Sequence, residues 1–123
     1  MSPKDLARVY ALGRVGFGVG LLVAPAAFGR PWIGAVADRP GGRLAMRALG
    51  VRDLILGGIS AHVLDHDPVA ARTALACGVA DAVDLAATVS ARRSLPATAY
   101  GVAAIAATGA ATGFWLSRAL PAD

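Results

Sequence analysis

Apolar residues dominate four stretches of the chain, and each stretch is long enough to cross a membrane as a helix. The stretches are Leu6–Phe28, Arg43–Leu64, Val69–Ser90 and Leu95–Ser117. A helix rises ~1.5 Å per residue, so ~20 residues cross a hydrocarbon core of ~30 Å. The pattern predicts an all-α fold, a four-transmembrane-helix bundle of antiparallel hairpins forming one integral membrane domain over residues 1–123. The alternative is a soluble four-helix bundle.

The longest connection, Gly29–Gly42, reads GRPWIGAVADRPGG. Tryptophan is enriched where a membrane meets water, and proline is common in the first turn of a helix. We therefore predict a short interfacial helix that begins at Pro31 and buries Trp32, Ile33 and Val36.

Composition supports the membrane interpretation. Hydrophobic residues make up 56% of the chain and charged residues 16%, with a mean hydropathy of +0.58. An average soluble domain has roughly 25% charged residues. Alanine and glycine supply much of the apolar content, which suits helices that pack closely in lipid. The net charge of +4 comes from scattered basic residues, which argues against a nucleic-acid partner. Their distribution between the two sides slightly favours both termini outside.

Six charged residues lie inside the apolar stretches: Arg14, Arg47, Arg52, Asp53, Asp81 and Asp84. Their charges sum to zero, and ionisable residues within a membrane usually pair with one another or mark a functional site. Counting outward from the turn between the second and third stretches predicts that Arg52 pairs with Asp81. The same depth argument pairs Arg14 with Asp53.

These charges do not form a recognisable catalytic motif. Asp81-x-x-Asp84 has the spacing that opens the motif of the CDP-alcohol phosphotransferases, but Leu85 stands where that motif has glycine. The second aspartate pair of the motif is also missing, so we predict no enzyme, no catalytic residue and no cofactor. The weak metal-ligand candidates are His62, Asp65, His66 and Asp67. Because these residues fall in a polar turn, where they can simply meet water, no metal site is predicted.

Two functions remain open from the residues alone. A small residue recurs at every fourth position of the third stretch, at Ala70, Ala74, Gly78, Ala82, Ala86 and Ser90. Such a stripe favours a non-enzymatic protein that packs against itself or against a membrane-protein partner. The alternative is a small transporter or proton-coupled carrier that uses Asp53, Asp81 or Asp84.

The run Gly50-Val51-Arg52-Asp53-Leu54-Ile55-Leu56-Gly57, followed by Asp81-x-x-Asp84, resembles a group of small bacterial membrane proteins. A Gly-x-Arg-Asp-Leu-x-Leu-Gly core and a later aspartate pair recur in that group on a four-helix frame. The resemblance implies a four-span integral membrane protein, which we expect in the inner membrane, and it carries over no activity.

Overall fold

The computed structural model describes residues 1–121, so residues 122 and 123 of the predicted domain lie outside the described part. It contains five α-helices: α1 (Pro3–Val23), α2 (Pro25–Ile33), α3 (Pro40–His62), α4 (Asp67–Ser90) and α5 (Ala99–Ala119). Short 3-10 helices follow α2 (Gly34–Asp38) and α4 (Arg92–Ser94). No strand occurs within residues 1–121, and the predicted all-α class is confirmed.

Prolines set several helix boundaries. The first stretch is predicted to end at Phe28, but α1 ends at Val23 and Pro25 begins a new helix, since proline suits a first turn and would disrupt the interior of a longer α1. The fourth stretch was predicted from Leu95, whereas α5 begins at Ala99. Leu95 is extended, with ψ 155°, because the residue before a proline disfavours the helical conformation.

A short helix does precede α3, but it begins at Pro25 and carries the predicted starting residue, Pro31, in its interior. Within the protein, Trp32 and Ile33 are half-buried and Val36 is 49% exposed, and the burial of these three side chains in a membrane surface stays a prediction. The chain turns at Gly34, whose φ is 68°, and the 3-10 helix that follows buries Ala37.

Polar contacts fasten this connection at two places. Arg30 donates hydrogen bonds to Asp38, with the shortest N–O distance 2.7 Å, and this bond holds the pKa of the Asp38 carboxyl below its usual value. Thr98 donates a hydrogen bond to the carbonyl oxygen of Pro31 at 2.7 Å. The connection is thereby tied to the start of α5.

The long helices form two closely packed antiparallel pairs, α1 with α3 and α4 with α5. Glycine allows both approaches. A Cβ atom on Gly57 would lie 2.7 Å from the carbonyl oxygen of Ala11, and one on Gly113 would lie 2.6 Å from the Cα of Gly78. The consecutive helices α3 and α4 contact each other far less. Although α3 and α4 are consecutive in the chain, each packs most closely against another helix, α3 against α1 and α4 against α5.

Large apolar side chains lie mainly on the outside of the protein. The buried apolar positions are mostly alanine, and Arg14, Asp53 and Thr88 are buried with them. Exposed positions include Leu12 and Val83, the reverse of a soluble core. Helices α1, α4 and α5 are long and apolar enough to cross a membrane. These features indicate a membrane protein.

Candidate functional site

Arg14 lies at the centre of a buried polar cluster and is 7% exposed. Its Nη1 is 2.6 Å from Asp53 Oδ1 on α3, and its Nη2 is 2.5 Å from Asp81 Oδ1 on α4. Nη2 also donates to the carbonyl oxygen of Cys77 at 3.0 Å. One guanidinium from α1 therefore joins α3 to α4. The predicted pairing of Arg14 with Asp53 is confirmed.

Arg52 pairs with Asp84, so the predicted pairing of Arg52 with Asp81 is wrong. Two parallel hydrogen bonds, of 2.9 and 2.6 Å, join the Arg52 guanidinium to the Asp84 carboxylate. A weaker contact of 3.4 Å reaches Asp53. Depth counting fixes the level of a residue but not the side of the helix on which it lies. Asp81 and Asp84 are three residues apart, ~60° around α4, and Asp81 is already engaged by Arg14 on α1.

Arg47, the sixth residue predicted in the cluster, is not part of it. The residue is exposed, and its Nε contacts the carbonyl oxygen of Leu22 at 3.4 Å. It lies five residues before Arg52, which turns it ~140° around α3 and away from α4. Two arginines and three aspartates remain, and their formal charges leave an excess of one negative charge.

Tyr10 completes the cluster, and it was not among the residues predicted from the sequence. Its hydroxyl lies 2.6 Å from Asp81 Oδ2 and 2.9 Å from the carbonyl oxygen of Gly109 on α5. Its ring centroid is 5.2 Å from Cζ of Arg14. A hydroxyl has one hydrogen, so it donates to only one of the two oxygens at a time. The four-residue spacing to Arg14, which places both residues on one face of α1, was the available signal.

The cluster faces a cavity of about 610 Å³ between α1 and α5. Asp53, Asp81 and Asp84 line it together with three aromatic residues, Phe17, Phe28 and Trp32. Val9 and Ile105 also line the cavity and are 57% and 73% exposed, so the cavity opens at the side of the bundle.

Trp32 reaches the cavity from α2 and is held there by α4. Its indole Nε1 donates to Thr88 Oγ1 at 2.9 Å, and the Thr88 hydroxyl donates to the carbonyl oxygen of Asp84 at 2.6 Å. This chain of hydrogen bonds connects the short helix to the backbone of a cluster residue.

The weak metal-ligand candidates do not come together as a site. His62 and His66 are exposed at the turn between α3 and α4, and Asp67 pairs with Lys4 at 2.9 Å. No group of three or more histidine, cysteine, aspartate or glutamate side chains within residues 1–121 is arranged to hold a metal ion. The titratable groups that do converge are those around Arg14.

No protein-family model matches the chain, and neither a curated protein nor a solved structure matches it. The resemblance to small bacterial four-span proteins stays a prediction.

Proposed function

We propose that the protein is a small carrier of the bacterial inner membrane, in which four helices span the bilayer and the Arg14 site binds a proton. The fourth span is α3, whose inner charges, Arg52 and Asp53, have partners on α1 and α4. Pairing of this kind is how charged side chains are accommodated at membrane depth. The observation that carries the proposal is the excess carboxylate beside the cavity.

The proton belongs to Asp53 and Asp81 together. Asp84 has the guanidinium of Arg52 in a two-bond pair, which leaves Arg14 as the main cation for the other two carboxylates. A buried charge without a partner is costly, and the usual outcome is that the group becomes neutral. One proton shared by two carboxyls around one arginine removes the excess charge.

The packing of the helices supports a carrier. The pairs α1/α3 and α4/α5 are each held by close glycine contacts, whereas the links between the pairs include the ion pairs of the cluster. Two rigid units that meet through a titrating site can shift relative to each other when its charge changes. A carrier requires such movement to expose its site to each side in turn.

The competing function, packing against a second copy or another membrane protein, needs free faces of small residues. Five glycines already make close contacts between the backbones of the long helices of this chain: Gly18, Gly50, Gly57, Gly78 and Gly113. Of the stripe on α4, Ala70, Ala74 and Gly78 are buried, Ala82 is half-buried, and Ala86 and Ser90 are exposed. Half of the stripe is therefore already covered, and the charge cluster beside the cavity favours the carrier. Packing against a partner stays a prediction that cross-linking in native membranes tests.

Infrared spectroscopy of the purified protein in lipid tests the proton. A protonated carboxyl absorbs apart from a carboxylate, so we expect a protonated band near neutral pH. Asp53→Asn and Asp81→Asn should each remove it, because one carboxylate then remains for Arg14. Asp38→Asn, at an exposed position outside the long helices, is the matched control and should leave it unchanged. Absence of the band from the unaltered protein would refute the proposal.

A further inference from the structure

We propose that the cavity binds a monovalent organic cation with an apolar, ring-bearing body, and that this cation takes the place of the shared proton. The inference rests on the proposed function and adds the class of ligand to it. When the cation enters, the carboxyl releases its proton to water, so the net charge of the occupied site stays the same. No covalent bond other than that O–H bond changes.

The charge of the site selects a cation. Two of the three aspartates that line the cavity share the guanidinium of Arg14, so the loss of their proton leaves one negative charge beside the cavity. An anionic ligand would add to that charge. A neutral ligand would leave it uncompensated in a setting of low dielectric constant, which is unfavourable.

The walls of the cavity select an apolar body. Phe17 and Phe28 meet edge to face, with ring centroids 6.4 Å apart, and both line the cavity with Trp32. Aromatic faces attract organic cations, and the attraction is strongest where water is excluded. A volume of about 610 Å³ falls in the range of small-molecule sites and far exceeds what an inorganic ion needs.

The position of the opening suits a ligand that dissolves in the membrane. Val9 on α1 and Ile105 on α5 border the cavity and are mostly exposed, and both helices are of spanning length. In the proposed membrane setting these side chains face the acyl chains. An apolar cation can therefore enter sideways from the bilayer.

Binding is measured on the full chain in lipid nanodiscs, with benzyltrimethylammonium as the probe. The matched ligands are neopentylbenzene, which has carbon in place of nitrogen, and benzoate, which is anionic. Trp32 reports through its fluorescence in a Trp115→Phe background. We expect saturable binding of the cation, release of one proton to a pH dye, and an affinity that rises about tenfold per pH unit while the site is protonated. Neither neopentylbenzene nor benzoate should bind saturably or release a proton.

Two substitutions on α1 test whether the cation occupies the cavity, because they leave the charged residues unchanged. A Cβ atom added at Gly13 would meet nothing within 4 Å, and this residue lines the cavity, so Gly13→Leu should place a bulky side chain in the cavity and weaken binding strongly. Gly16 is equally open but does not line the cavity, so Gly16→Leu should bind normally. Phe17→Leu and Phe28→Leu should each weaken binding of the cation by roughly 3- to 30-fold.

The possible results are distinguishable. Equal binding of neopentylbenzene, or normal binding by Gly13→Leu, would overturn the inference while the carboxyl band leaves the proton site standing. Failure of the cation to bind, with the protonated band present, would also overturn the inference and leave the proton site standing. Binding of the cation without proton release would overturn the exchange. Absence of the protonated-carboxyl infrared band from the unaltered protein would instead refute the proposed function.

Discussion

The Arg14 guanidinium contacts two carboxylates and a backbone carbonyl oxygen within a nearly solvent-free environment. Arg14→Met keeps an unbranched side chain but removes the guanidinium, which leaves Asp53 and Asp81 facing each other without a cation. We expect it to lower the free energy of unfolding by ~3–5 kcal/mol, the usual loss when one partner of a buried ion pair is removed. Thermal unfolding in detergent measures this loss. Arg8→Met, at an exposed arginine, should change it little.

The pairing of Arg52 can be tested by a double-mutant cycle. Arg52→Leu and Asp84→Leu should each destabilise the protein, and the double variant should recover much of the loss because both charges are then absent. Arg52→Leu combined with Asp81→Leu should give nearly the sum of the two losses. Strong coupling of Arg52 to Asp81, and none to Asp84, would contradict the observed geometry.

Five of the six charged residues predicted to cluster do so, but one pair among them was assigned wrongly. Burial depth can be counted from a turn, and it placed Arg14 level with Asp53. The direction in which a side chain points around its helix depends on which helices are neighbours, and a single sequence does not contain that information. Arg47 illustrates the limit, since its position along α3 fits the cluster and its side of α3 does not.

Two neighbouring glycines of α3 differ in how closely another helix approaches them. Gly57 faces the backbone of α1, while its neighbour Gly58 is exposed with nothing within 4 Å of an added Cβ. Gly57→Ala should force α1 and α3 apart and cost ~1–3 kcal/mol of stability. Gly58→Ala should be neutral or stabilising by up to ~1 kcal/mol, because alanine is the better helix former. Equal effects of the two changes on the unfolding temperature would argue against the α1–α3 contact.

The hydroxyl of Thr88 on α4 accepts the hydrogen bond that connects α4 to Trp32 of the short helix α2. Thr88→Val keeps the shape of the side chain and removes the acceptor of the Trp32 indole hydrogen bond. We expect a loss of ~1 kcal/mol and a shift of Trp32 fluorescence in a Trp115→Phe background. Thr73→Val is the control, because Thr73 makes the same bond to the carbonyl four residues earlier but has no indole partner. An unchanged Trp32 spectrum in Thr88→Val would contradict the hydrogen bond.

The existence of the long helices was predictable and their pairing was not. Long apolar runs bounded by prolines and glycines indicate α1, α3, α4 and α5 from the residue pattern alone, because each run must satisfy its own backbone in an apolar setting. Small residues are so frequent that many faces could pack. The choice of α1 with α3 and α4 with α5 depends on which glycines meet, as Gly78 and Gly113 do.

For the whole molecule, the exposed apolar surface predicts that alkaline carbonate washing leaves the protein with the membrane fraction. Three helices are long and apolar enough to cross a bilayer, and large apolar side chains cover their outer faces. A peripheral membrane protein of similar size should appear in the supernatant of the same wash. Recovery of this protein there would instead favour the soluble bundle.

The division into two helix pairs has a consequence for synthesis. The ribosome delivers α1 and α3 first, and this pair brings Arg14, Arg52 and Asp53, with one positive charge in excess. The two aspartates that contact these arginines from α4 emerge only later. In the proposed membrane setting, the nascent first pair therefore holds an unmatched arginine until α4 arrives. In that setting, the arginines of the first pair are fully compensated only when Asp81 and Asp84 of α4 reach Arg14 and Arg52.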